Sequence, residues 1–383
     1  MKNKIKILRI IPTLNPAYGG PANAILDSSI SLVKNGFKVD ILTYDKKESS
    51  YLKSKKINIF NMGPGYTNFT FSINLFLWLL KNKKNYDLFI IHGIWQFSTL
   101  ISRILLKKKY FVFLHGGLDP FFKLNFLKKI KKKIYWLLIE KKNLLMSNSL
   151  LLTNTIEKNQ LNNTFVNTSG IKKKVVNYGI LEPKFNKKKS VNLFNKNFPS
   201  LKNKKFLLFL GRFHEKKGCD TLIKALNILL KKNIKINVLL AGPNNTFKDN
   251  LKSLSKKYEL QKNLFWSDTI INDLKWGAIL SSSGMVLASN GENFGVALAE
   301  SLSCSRPVLT TYKVNIYKEI LKHKAGFISK NTVNDFSKIL EKFNNFNKVK
   351  KRQLSKNSLI CFNKNFNLEY KNNILAKFLK KEA

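Results

Sequence analysis

The apolar positions of this 383-residue chain fall into short runs of four to seven, set between longer segments whose apolar residues recur every three or four places. The short runs predict buried parallel strands, the longer spacing predicts amphipathic helices, and their alternation predicts βαβ units. One such unit is legible twice. The first copy is a strand over 5–11, a loop over 12–21, a helix over about 22–34 and a strand over 37–43, with Gly36 placed to end the helix. The second is a strand over 206–210, a loop over 211–218, a helix over 220–231 and a strand over 234–241. The lysine- and asparagine-rich stretch 184–205 between them predicts a linker. The expectation is an α/β chain of two doubly wound domains, 1–190 and 191–365, with a terminal helical segment over 366–383.

The stretch 284–311 carries the most chemistry. Met285-Val286-Leu287 predicts a strand and Ser289 to Asn293 a polar turn. A helix follows over about 294–304, and Pro307 stops it before a strand over 308–311. A helix N-terminus is thus delivered to the C-terminal edge of a strand, where the N–H groups of Phe294, Gly295, Val296 and Ala297 suit an anion. Glu292 precedes that helix and Glu300 lies eight residues on, roughly 12 Å along its axis. The separation suits holding two ends of an extended ligand rather than a glycosidase acid/base pair, and it equally fits a solvated acidic helix start. In the second βαβ loop, GRFHEKKG, Arg212 and Lys217 suit a diphosphate. His92 and His115 each end an apolar run before a glycine, so both are expected at the sheet's C-terminal edge facing a cleft. Histidines there are more often structural than catalytic. Gly19 and Gly20 in the first loop allow close backbone approach.

Composition narrows this picture. Apolar content of 44% supports two ordinary cores, and no run is long enough to span a bilayer. The N-terminus reads as a first strand rather than a signal peptide. Cys219, Cys304 and Cys361 are scattered, which argues for a reducing compartment and against a disulfide framework or zinc site. The formal charge of +47 points toward nucleic acid or an anionic membrane surface. No aromatic-and-basic nucleic-acid motif accompanies it, and lysine abounds throughout with Asn, Ile and Phe, so the charge reads as a solvated surface. The segment 121–152, with Lys128, Lys129, Lys131, Lys132 and Lys133 among Phe, Leu and Trp, reads as a core helix with a lysine-covered outer face. The alternative is a basic amphipathic helix lying on an anionic bilayer.

ENFGVALAE resembles the Glu-x7-Glu motif of retaining glycosyltransferases of family 4, with Ala288-Ser289 at that family's Pro-Ser and Ser305 at its usual glycine before Pro-Val. GRFHEKKG resembles the family's Gly-Arg…Lys-Gly motif, HGGLDPF its His-Gly-Met-Leu-Asp-Pro-Trp segment, and VVNYGI its Pro-Asn-Gly-Ile turn, with Tyr178 replacing asparagine. The resemblance implies the GT-B fold, two Rossmann-like domains facing across a cleft. It implies a nucleotide-sugar donor and a saccharide or lipid-linked acceptor in cell-surface polysaccharide or glycolipid synthesis. The catalytic residues it implies are His115, Arg212, Lys217 and Glu292. The donor-binding residues are Gly19, Gly20, Arg212, Lys217, Asn293, Phe294, Gly295, Val296 and Glu300. His92 is an acceptor-side candidate, and the segment 266–270 is expected beside the base. No metal or cofactor is expected, and the location expected is cytoplasmic, at most peripheral on the inner face of the plasma membrane. A nucleotide-sugar epimerase of the same architecture and a basic nucleic-acid-binding protein are the alternatives.

Overall fold

The computed structural model describes residues 4–15, 21–49, 51, 54–119, 126–176, 178–369 and 374–383. The chain divides into two compact units, residues 1–181 with 372–383, and residues 182–371.

The first unit is built on seven strands: β1 Lys6–Ile11, β2 Lys38–Thr43, β3 Asn58–Asn61, β4 Leu88–His92, β5 Tyr110–Phe113, β6 Ser149–Leu152 and β7 Lys173–Val175. They form one parallel sheet in the order β3-β2-β1-β4-β5-β6-β7. Its central strands are apolar on both faces because helices cover both, and β4, β5 and β6 are buried at every position. The helix Pro21–Lys34 follows β1, and Gly36 beyond it takes φ +94. The terminal helix Ile374–Glu382 belongs to this unit, burying Leu375, Ala376 and Leu379 and setting Phe378 edge-on against Phe111.

The second unit continues with β8 Phe206–Leu210, β9 Asn237–Ala241, β10 Leu264–Ser267, β11 Gly284–Leu287, β12 Val308–Thr311 and β13 Gly326–Ser329, parallel in the order β10-β9-β8-β11-β12-β13. In each sheet the strand order reverses once, between β1 and β4 in the first and between β8 and β11 in the second. Such switch points are where open α/β sheets receive ligands, at the strands' C-terminal ends.

Two expectations change. The stretch read as a linker contains the helix Lys187–Asn197, capped by the Asn186 side chain accepting from the Lys189 N–H. It packs on the helix Asn272–Ser281 so closely that a Cβ on Gly277 would lie 2.1 Å from the Ser190 carbonyl oxygen. Its Phe194 stacks on Phe206 of β8. A lysine-rich outer face hid one narrow apolar stripe.

The lysine-rich segment also departs from the core-helix reading. The helix Phe126–Tyr135 has no buried residue, and Phe126, Leu127, Ile130 and Ile134 are exposed. The exposed stripe continues through Leu137 and Leu138, while Trp136 and Glu140 turn inward. Residues 121–125 of this segment lie outside the described residues. Among the described residues no helix is long and apolar enough to cross a membrane.

Candidate functional site

The switch point of the second unit is framed by the loop after β8, 211–218, and the loop after β11, 288–295. Gly218 locks them together. It adopts φ +66, and a Cβ there would fall 1.9 Å from the Ala288 carbonyl oxygen. Polar contacts continue the seam: Asn290 N–H and Ser289 Oγ both donate to the Lys216 carbonyl at 2.8 Å, and Asn290 Nδ2 donates to the Glu215 carbonyl at 2.9 Å. From the other side, Thr311 Oγ1 donates to the Ser289 carbonyl at 2.5 Å, and Glu292 forms a parallel bridge with Val314 through Lys313 and Asn315. The backbone on which Glu292 sits is therefore held by both neighbouring loops.

Within this frame Lys217 Nζ pairs with Glu292 Oε2, both side chains about one-fifth exposed. The helix begins at Val296, two residues later than its sequence pattern predicts, because Gly295 takes φ +74 and the Leu298 and Ala299 N–H groups turn back to its carbonyl. The Phe294 side chain is buried edge-on against Phe366. Asn293 Oδ1 accepts from Asn315 Nδ2 at 3.3 Å. Glu300, 8% exposed, pairs with Lys275 Nζ at 2.7 Å. Arg212 is exposed on the loop after β8. Each glutamate thus has its own lysine, one at the start of the helix Val296–Ser303 and one inside it.

Around this centre, a Cβ on Gly242 would lie 2.0 Å from the Gly211 carbonyl oxygen, which brings the ends of β8 and β9 together. Trp266 packs on Phe213 at 5.8 Å between ring centres, and the nearly buried Lys248 Nζ donates to the Ser267 carbonyl and Asp268 at 2.9 and 3.0 Å. Ser305 takes φ +58, so the turn keeps the left-handed backbone that glycine would adopt there.

In the first unit, His115 lies just beyond β5 at φ +47 and is partly exposed. His92, the last residue of β4, is only 1% exposed and does not face outward as its position predicts. Its Nε2 accepts from Arg9 Nε at 3.1 Å, and its Nδ1 lies 2.7 Å from His115 Nε2. Burial first, then the Arg9 and His115 charges, hold His92 well below the usual imidazole range, and burial pushes His115 down to about 4. Tyr178, to which the sequence assigns no role, packs edge-on against His115 at 5.8 Å. Gly19 and Gly20 lie outside the described residues.

Arg9 and Lys275 were missed. Arg9 stands inside an apolar strand pattern, where its polarity was the only signal. Lys275 is one lysine among many, and only its three-dimensional place singles it out.

Residues 191–358 match the family described as glycosyl transferases group 1. The serotype-specific mannosyltransferase WbdA of Escherichia coli is 26% identical over 137 residues, 36% of this chain and 17% of that protein. The chain therefore spans well under two thirds of that relative. An uncharacterized glycosyltransferase of Methanocaldococcus jannaschii is 23% identical over 346 residues, 88% of each chain. Among solved structures, a sucrose-phosphate synthase from Thermosynechococcus elongatus superposes with a TM-score of 0.77 at 16% identity, covering 99% of this chain and 98% of that one. HepE of Anabaena, in complex with UDP and glucose, gives 0.74 at 14% identity, covering 98% and 100%. The fold is that of the GT-B glycosyltransferases.

Proposed function

We propose that this protein is a retaining glycosyltransferase that moves a hexose from a nucleotide-sugar to a saccharide or lipid-linked acceptor. The observation that carries the reading is the pair of loops at the β8/β11 switch point, which present Lys217, Glu292 and a helix N-terminus together. The donor diphosphate is assigned to Arg212, Lys217 and the amides at the start of the helix Val296–Ser303. A diphosphate arriving there competes with Glu292 for Lys217, which leaves the Glu292 carboxylate to the sugar. Glu300, one turn and more into the helix, is assigned to the ribose, and the segment 266–270 to the base. As the glycosidic bond breaks, negative charge grows on the leaving phosphate oxygens while the sugar gains oxocarbenium character, so fixed cations and amides act where charge develops. The acceptor attacks from the leaving-group face, and the departing phosphate takes its proton. Cationic side chains and helix amides do the work of a divalent ion in this scheme.

The test is a screen of nucleotide-sugars for thermal stabilisation and for sugar release or transfer with candidate acceptors. The expected result is one donor that stabilises the protein and is turned over, with turnover lost on the order of tenfold or more in Lys217→Ala and Arg212→Ala while the fold persists. Wild-type turnover in both variants overturns the diphosphate assignment. Conversion of the donor to an isomeric nucleotide-sugar without acceptor makes the protein an epimerase.

A second part of the reading concerns location. The stripe Phe126, Leu127, Ile130, Ile134, Leu137, Leu138 is spaced to lie along one side of its helical segment, with Lys131 and Lys133 beside it. An exposed apolar stripe edged by lysines favours an anionic bilayer surface, where a lipid-linked acceptor would be met. Flotation with phosphatidylcholine vesicles, with and without phosphatidylglycerol, tests it. Binding is expected only with the anionic lipid and is expected to be lost in Leu137→Asp/Leu138→Asp. Equal recovery of wild type and variant contradicts it.

A further inference from the structure

Arg9 is fully buried in β1, and the acceptors it meets are neutral: Ser28 Oγ at 3.1 Å, Ser29 Oγ at 2.9 Å, the Ile25 carbonyl at 3.3 Å and His92 Nε2 at 3.1 Å. A guanidinium only donates, so His92 Nε2 must accept. A neutral imidazole carries one N–H, so the His92 proton is on Nδ1. That N–H points at His115 Nε2, 2.7 Å away, which must accept in turn. The remaining proton of neutral His115 is then on Nδ1. The reverse direction fails, because His92 would have to accept at both nitrogens with no proton of its own. Protonating His92 fails too, because its Nε2–H would face the Arg9 Nε–H.

We propose that Arg9 and His92 are positioning residues that fix the tautomer of His115, so that His115 presents Nδ1–H as a hydrogen-bond donor to a ligand oxygen at the C-terminal edge of the first sheet. The proposal rests on the reading of His115 as a site residue. The buried Arg9 charge behind the two rings polarises the chain of N–H bonds toward the ligand, and it opposes a second positive charge on either ring. A neutral imidazole that donates is suited to an oxygen on which charge develops, and it does not exchange its proton as an imidazolium would. Other elements reinforce the arrangement. Phe113 lies parallel to both rings, and Tyr178 closes on the edge of His115. Glu157, on the helix Thr155–Gln160 that follows β6, is engaged by the Gly116 and Thr153 N–H groups. The left-handed φ of His115 is the kind of backbone strain that persists when surrounding contacts dictate a side chain's direction.

The experiment is long-range nitrogen–proton NMR of the imidazoles in the whole, ¹⁵N-labelled protein, with kinetics on two variants. His92→Asn keeps a side-chain N–H near the place of Nδ1, and His92→Leu does not. In wild type both rings are expected as the Nδ1–H tautomer, unprotonated through the range where a free imidazole titrates. His92→Leu is expected to release the His115 tautomer and to lower kcat on the order of tenfold with KM little changed, whereas His92→Asn retains the Nδ1–H signature and most of kcat. An Nε2–H signature for His115 in wild type, or an unchanged His115 signature in His92→Leu, overturns the proposal. A shifted signature in His92→Leu with unchanged kcat supports the tautomer chain and removes His115 from the reacting site, so the two readings fail separately.

Discussion

Replacing Gly218 with alanine asks whether the seam between the loops after β8 and β11 is as tight as its geometry implies. Two penalties act at that position. The backbone stands at φ +66, where an L side chain costs about 1–2 kcal/mol. The new methyl would also sit 1.9 Å from the Ala288 carbonyl oxygen, a backbone atom that cannot swing aside, and overpacking of this kind costs about 1–3 kcal/mol. Gly295 is the matched control in the same unit. Its φ of +74 brings the first penalty, yet the nearest atoms to a Cβ are side-chain carbons of Leu298 and Glu292 at 3.4–3.5 Å, which is ordinary contact. Gly218→Ala should therefore destabilise the second unit by about 2–5 kcal/mol and Gly295→Ala by about 1–2 kcal/mol. With a urea slope of about 2 kcal/mol per molar, the two midpoints should stand apart by about 0.5–1.5 M. Urea unfolding of both variants followed by circular dichroism gives the comparison, and equal midpoints would refute the claim that close packing on Ala288 holds the loops together.

Three further outcomes are expected. Burial pushes the Glu140 carboxyl up to about 7 from its usual 4.5, so the folded state keeps a proton that the unfolded chain releases, and stability falls as pH rises across that window by at most ~3 kcal/mol. The lowered His92 and His115 act oppositely, removing stability as pH falls below about 6.5, so Glu140→Gln should be more stable than wild type at pH 8 and show a steeper acid loss; parallel urea-midpoint profiles would contradict this. Ser305→Gly should raise stability by roughly 0.5–1 kcal/mol, since glycine removes the left-handed penalty at φ +58 but adds chain entropy to the unfolded state, and a lower melting temperature would contradict it. Sugar transfer should survive excess EDTA, and complete loss restored by Mg²⁺ or Mn²⁺ would end the metal-independent scheme.

Most of the second βαβ unit was legible: the strand over 206–210 begins and ends as its apolar run does, the following helix starts at Cys219 instead of Asp220, and the closing strand expected over 234–241 begins only at Asn237. Strand periodicity and glycine placement are local signals, so they survive in one sequence. The candidate site was legible only in part. Arg212, Lys217, Glu292 and Glu300 were singled out by resemblance to the family's motifs, since spacing alone left a solvated acidic helix start equally open, and which lysine meets which glutamate depends on the order β8-β11 and on the helix Asn272–Ser281 arriving beside Glu300. The helix Lys187–Asn197 was missed because its polar composition outweighs two buried positions, Ser190 and Phe194. The exposed apolar stripe from Phe126 to Leu138 was read as core for the converse reason: apolar residues do not announce which side of a helix is covered.

The central claim is that the two glutamates divide the donor, Glu292 serving the sugar and Glu300 the ribose. It is tested most directly by steady-state kinetics and nucleoside-diphosphate calorimetry on Glu292→Gln and Glu300→Gln. A sugar contact that strengthens as charge develops acts on kcat, whereas a ribose contact present in both ground and transition states acts on KM. Glu292→Gln should lose far more kcat than Glu300→Gln while binding the free diphosphate normally, and Glu300→Gln should bind it more weakly. Normal nucleotide binding by Glu300→Gln together with loss of binding in Glu292→Gln would contradict the assignment and exchange the two roles.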